Sequence, residues 1–189
     1  MPDPAPTLVT PRLVLRGWRD GDIPALAAIN ADPEVMRYIG AGTPLDADRT
    51  AADVEAYRRL WTDRGFGRFA AVLRKTGAFA GLAGMAIPDD LPEVMPAVEI
   101  GWRFGREHWG KGLATEAARA AMGFAFGGGG LDRLVSVHVI GNEASARVML
   151  RLGMRPLLDA VEIVHHRPVR VYAIDRPGVG DHPDTARSG

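Results

Sequence analysis

Between Ala97 and Ala121 the chain changes its hydrophobic period, and the change falls on glycines. Ala97-Val98-Glu99-Ile100-Gly101-Trp102-Arg103-Phe104 alternates like a β-strand, whereas Ala114 to Ala121 is built almost wholly from helix formers. His108-Trp109-Gly110-Lys111-Gly112-Leu113 joins the two. The stretch therefore reads as strand, glycine-rich turn, helix. The first amides of a helix have no acceptor within it, and the dipole makes that end positive. Glycine lets a ligand approach the backbone closely. Such a turn is a ready anion site, with a pyrophosphate as its natural guest.

Two nucleotide motifs come near this stretch and fail at residues they need. Gly105-x-x-x-x-Gly110-Lys111 approaches a P-loop, but Gly112 stands where Ser or Thr should bind Mg²⁺. A dinucleotide fingerprint needs a third glycine where this chain has Thr115, and no acidic strand end follows about twenty residues on.

At 189 residues the chain is long enough for one domain with a full core. Its 23 basic and 23 acidic residues cancel, which gives no electrostatic case for nucleic acid or a membrane surface. No apolar run approaches the roughly 20 residues of a membrane span. The acidic, proline-rich start Met1-Pro2-Asp3-Pro4 is unlike a signal peptide, so a cytoplasmic location is expected. There is no cysteine, which excludes disulfides, thiolate metal sites and a cysteine nucleophile. No metal is expected.

Periodicity and turn chemistry give seven strands: Leu8–Trp18, Phe69–Leu73, Phe79–Ile87, Val98–Phe104, Leu134–Ile140, Leu157–Val164 and Val169–Ile174. The predicted helices begin at Asp20, at Asp32, at Asp46 or Asp48, at Leu113, and at Asn142, the last closed by Gly153. Residues 1–9 are expected to be a flexible N-terminus, 10–176 a single domain, and 177–189 a loose tail. Helices interrupting a mostly antiparallel run make a mixed α/β (α+β) sheet of about seven strands flanked by four to five helices.

Trp109-Gly110-Lys111-Gly112-Leu113-Ala114-Thr115-Glu116-Ala117 resembles the acyl-CoA pyrophosphate loop of the GNAT acetyltransferases, in the wording of the RimJ/RimL branch that acetylates N-termini of ribosomal proteins. Trp109 departs from the Gln or Arg of the broad family. Asn142-x-x-Ser145-x-Arg147-x-Met149-Leu150-Arg151-Leu152-Gly153-Met154 is similar to that branch's second motif, and the two lie about 30 residues apart, as they do in the family. The resemblance runs from about Thr10 to Arg176.

The resemblance implies a GNAT fold and an acetyl-CoA-dependent N-acetyltransferase working by direct transfer to a primary amine, either a peptide N-terminus or a small molecule. It implies that Ile100, Gly101, Trp102 and Phe104 pair with pantetheine like an added strand. It also implies that the amides of Trp109, Gly110, Lys111, Gly112, Leu113, Ala114 and Thr115 hold the pyrophosphate, with Asn142 on the cofactor. Glu99 is the candidate general base; its alternative is a far-face carboxylate paired with an arginine. Met149 stands where many members have an acidic tyrosine, which makes Ser145 the candidate general acid; its alternative is a helix cap. His138, four residues before Asn142, faces either the cleft or the core. Tyr38, Trp61 and Phe66 are expected to wall the acceptor, with Asp89, Asp90 and Glu93 attracting a cation. A homodimer is among the assemblies the family uses. The alternative functions are an acyl-CoA-binding protein without turnover, and a nucleotide-binding protein with a degenerate P-loop.

Overall fold

The computed structural model describes residues 5–178. Among them, eight strands form one sheet in the order β1-β2-β3-β4-β5-β6-β8-β7. These are β1 (Leu8–Val9), β2 (Leu13–Arg16), β3 (Arg68–Leu73), β4 (Phe79–Ala86), β5 (Glu99–Phe104), β6 (Arg133–Val139), β7 (Arg155–Val161) and β8 (Pro168–Asp175). The helices are α1 (Ile23–Asn30), α2 (Pro33–Met36), α3 (Ala47–Arg64), α4 (Leu113–Phe126) and α5 (Glu143–Arg151). Only β5 and β6 pair in parallel, across the α4 crossover; every other neighbour is antiparallel. This is the mixed sheet that the order of elements predicts.

Each helix boundary near the site has a local cause. Asp46 caps α3 by accepting from the Arg49 amide at 2.7 Å, and Gly65 ends it at φ 71°. The side chain of Asn142 accepts from the Ser145 amide at 3.2 Å and so starts α5. That helix closes with Gly153 at φ 85°, the Met154 amide reaching back to the Met149 carbonyl at 3.1 Å. Along α4, Ala117, Ala118, Ala121 and Ala125 are fully buried. These small side chains seat the helix closely on the sheet, over Leu13, Leu15, Phe69, Met85, Ile100 and Leu134.

Three expectations need correction. The predicted strand Leu8–Trp18 is two strands, because Thr10 and Pro11 turn the chain: the Thr10 amide donates to the Leu13 carbonyl, and its hydroxyl accepts from the Leu13 amide. The sheet therefore has eight strands rather than seven. The helix predicted from Asp20 begins as a single 3-10 turn, with α1 following Asp22. The ordered domain also starts before residue 10, since Ala5 is buried in the core and Leu8–Val9 is β1. Residues 1–4 and 179–189, expected to be loose, lie outside the described residues.

Candidate active site

β5 and β6 begin side by side and then part. They pair at one position, Glu99 against Val135, with the Val135 amide donating to the Val98 carbonyl at 2.9 Å. One residue on, the Ser136 hydroxyl donates to the Ile100 carbonyl at 2.8 Å, filling the place of a ladder bond. Beyond that, β5 continues to Phe104 paired only with β4, and β6 continues to Val139 paired only with β8. The result is a V-shaped gap with one free backbone edge on each side.

Strand alternation decides which residues face that gap. The Val98 and Ile100 carbonyls are met from β6, and the Phe104 carbonyl accepts from the Trp109 indole at 2.8 Å. The Gly105 amide instead donates to Ala80 beside β4. Trp102 therefore turns its N–H and C=O into the gap, whereas Gly101 turns its own toward β4. Of the four residues expected to meet pantetheine, Trp102 is open, Phe104 keeps its amide, and Ile100 is tied to Ser136. Gly101 serves differently: a Cβ there would lie 2.8 Å from the Arg68 guanidinium.

At the wide end of the gap lies the glycine turn. Gly110 and Gly112 have φ of 71° and 75°, a backbone conformation that side chains disfavour. The Trp109 amide donates to the Arg106 carbonyl at 3.1 Å and is therefore occupied. The amides of Gly110 through Thr115 donate to no acceptor among the described residues. Lys111 folds back, its ammonium donating to the Glu107 carbonyl at 2.7 Å. Glu116 braces the turn from behind, accepting from the Thr10 hydroxyl, the Arg12 amide and the Arg12 guanidinium at 2.6–2.8 Å. Burial opposes the ionised form of this carboxyl, but those donors hold it below its ordinary range. Arg12 also donates to the Lys111 carbonyl at 2.7 Å, which fixes the loop and sets a cation beside it.

The narrow end of the gap opens into a cavity of about 250 Å³. Glu99, Ser145, Asn142 and Tyr38 all line it, as does His138. Burial pushes the Glu99 carboxyl up. Arg68, 3.6 Å away, and the Val137 amide pull it down, while Asp90 adds to the rise, and the net direction is up. Glu99 thus both faces the cleft and sits beside an arginine. Asn142 and Ser145 reach the cavity because the cap brings them together at the start of α5. Met149 is fully buried and offers no proton.

Trp61 and Phe66 are not in this cavity. Trp61 is 2% exposed, packs edge-on against Phe69, and donates its indole N–H to the Arg68 carbonyl at 3.1 Å. Phe66 is buried in the same core. An aromatic stripe on α3 faces the sheet, because the sheet is the larger apolar surface. Of the acidic loop residues, Asp90 lines the cavity, whereas Asp89 and Glu93 are exposed. Sequence reasoning missed Arg68, Ser136 and Glu162. Glu162 carried a signal: it is a lone acid within the apolar run Val161-Glu162-Ile163-Val164.

Comparison with known proteins identifies the family. Residues 12–155 match the family model described as the acetyltransferase (GNAT) domain. The protein YkkB of Bacillus subtilis (strain 168) is 34% identical over 148 residues, covering 78% of this chain and 84% of that protein. The crystal structure of an acetyltransferase from Agrobacterium tumefaciens str. C58 superposes with a TM-score of 0.73 at 31% identity, over 88% of this chain and 94% of that one. RimL, a ribosomal L7/L12 alpha-N-protein acetyltransferase solved with coenzyme A, has the same fold, with a TM-score of 0.73 at 18% identity over 90% of this chain and 98% of its own. The family model spans most of the chain and YkkB is 34% identical over most of both proteins, so the chain belongs to the GNAT acetyltransferase family.

Proposed function

We propose that this protein moves the acetyl group of acetyl-CoA directly to a primary amine, on a peptide N-terminus or a small molecule, within a ternary complex. The observation that carries the reading is that the chain combines idle amides at Gly110–Thr115 with an open edge at Trp102, which lines one cavity with Glu99 and Ser145. The residues fit the cofactor: the turn offers N–H donors to a pyrophosphate, and the parted strands offer backbone to an extended amide chain. Bound acetyl-CoA supplies the thioester whose carbonyl the amine attacks.

This chain's own groups do the rest. Glu99, with its carboxyl raised by burial, takes the proton of the incoming amine directly or through water. The Ser145 hydroxyl donates a proton toward the leaving sulfur. Asn142 holds the start of α5 so that this hydroxyl stays in the cavity. RimL acts on a ribosomal protein N-terminus, which supports the peptide acceptor. A cytoplasmic location accompanies this reading. Met149, which offers no acid, favours a second reading: acyl-CoA binding without turnover.

Calorimetry with acetyl-CoA and release of free thiol over a broad amine panel decide between them. Glu99→Gln and Ser145→Ala should each lower kcat by about 10²-fold or more, the usual size of an acid–base contribution. Their Kd for acetyl-CoA should stay within about twofold of wild type. Wild-type turnover in both variants would remove the mechanism, and binding with no thiol released for any amine would favour the second reading.

A further inference from the structure

Two carboxyl side chains in the cavity lie beyond the transfer chemistry. Asp90 belongs to the β4–β5 loop, and Glu162 is the first residue after β7. The backbone stitches them together: the Ile163 amide donates to the Asp90 carbonyl at 3.0 Å. The Glu162 amide donates to the Arg167 carbonyl at 3.1 Å, and the His166 amide to the Glu162 carbonyl at 3.0 Å. Both side chains line the same cavity as Glu99. Glu162 is 7% exposed, and its Oε1 has no hydrogen-bond partner among the described residues.

A buried acid elsewhere in this chain is treated differently. Asp22 is 5% exposed and takes both arms of the Arg16 guanidinium at 2.7 and 2.8 Å. Glu162 has a cation in range, Arg167, but that side chain donates to the Gly40 and Arg37 carbonyls at 3.0 and 2.9 Å. Two further arginines line the cavity: Arg68 stands beside Glu99, and Arg103 donates to the Asn30 side-chain oxygen at 2.6 Å. His138 adds a second unpartnered polar atom. Its Nδ1 lies 2.9 Å from the Val139 carbonyl, a bond in which Nδ1 donates, and this leaves Nε2 as the ring's other nitrogen. That Nε2 is buried and unpartnered, and the ring lines the cavity.

Buried acceptors without donors are costly, and two adjacent carboxyls cannot both ionise without help. Burial, the hydrogen bond with Asp90 and the Asp90 charge raise Glu162 to about 7, with Arg167 opposing. A guest that brings N–H donors and positive charge relieves all of this at once. An ammonium fits that description, since it carries one positive charge and three N–H donors on a single atom. We propose that Asp90 and Glu162, with His138 beside them, form an ammonium-binding subsite in the acceptor half of the cavity, and that the preferred acceptor is an amine carrying a second cationic group. This rests on the acetyl-transfer reading above.

The test compares 1,4-diaminobutane with pentylamine, which match in length and differ by one charge, in the thiol-release assay with acetyl-CoA. The expected kcat/KM is at least tenfold higher for the diamine, and Glu162→Gln should cut that ratio to below threefold. Equal wild-type rates, or a preference that survives both Glu162→Gln and Asp90→Asn, would overturn the subsite. Calorimetry of 1,4-diaminobutane on the wild-type protein reads the same subsite without turnover. Heat that is lost in Glu162→Gln supports it, and the absence of heat refutes it. No turnover of any amine, with diamine binding intact, would sink the transfer reading and leave the subsite standing.

Discussion

The carboxylate of Glu99 and the guanidinium of Arg68 are 3.6 Å apart, outside hydrogen-bonding range, and each side chain is 19% exposed. Asp22 and Arg16 make the same kind of pair at 2.7 Å with two bonds. Distance, depth of burial and the neighbouring Asp90 together set the sign. Burial opposes ionisation at both, but at Asp22 the direct bonds from Arg16 and Arg19 win and its carboxyl falls, whereas at Glu99 burial wins and the carboxyl rises. A base works only when ionised, so a raised carboxyl places the rising limb of activity above the usual carboxylate range. With the amine expressed as free base, kcat/KM should climb with pH along a limb that Glu99→Gln lacks. A profile unchanged in that variant would remove Glu99 as the base. Residue type and motif position made Glu99 and Ser145 legible in the sequence. Arg68 was not, because its place beside Glu99 depends on the register of β3 against β4 and on the missing side chain at Gly101.

Among the elements, the glycine turn and α5 were readable because their geometry is local. Positive-φ glycines and an Asn cap act over three or four residues, and the chain carries them in order. The β1–β2 hairpin was not readable, since a threonine hydroxyl closes it where no glycine marks a turn. Trp61 was misplaced on the acceptor wall because Tyr57, Leu60 and Trp61 show an apolar stripe on α3 without showing which surface it meets. The turn itself yields a prediction. Alanine at Gly112 must take φ 75°, at a strain of about 1–2 kcal/mol, and it adds a methyl group beside the idle amides. Gly130, at φ 63° beyond the far end of α4, provides the control with the same strain. Both variants should melt a few degrees lower, but only Gly112→Ala should weaken coenzyme A binding, by tenfold or more in calorimetry. Equal affinities in the two variants would show that the turn is not the anchor.

Taken whole, the sheet is two antiparallel units, β1–β5 and β6–β8–β7, joined at Glu99–Val135 and the Ser136–Ile100 bond and spanned on one face by α4. A ligand chain lying in the gap would complete the missing ladder between those units, so its binding should be felt across both. At a free concentration of 100 Kd, a ligand specific for the folded state adds about 2.7 kcal/mol. For a chain of this size each kcal/mol raises Tm by roughly 2–4 °C, so saturating coenzyme A should raise it by about 5–11 °C. Local stability follows from which hydrogen bonds must open for exchange. Amide exchange should therefore slow at Gly110–Thr115, at Trp102 and along the free edge of β6 together. Desulfo-pantetheine fragments lacking the diphosphate should protect the strands without the turn. Protection confined to the turn under full coenzyme A would mean that the parted strands do not hold the pantetheine arm, and the gap would then need another occupant.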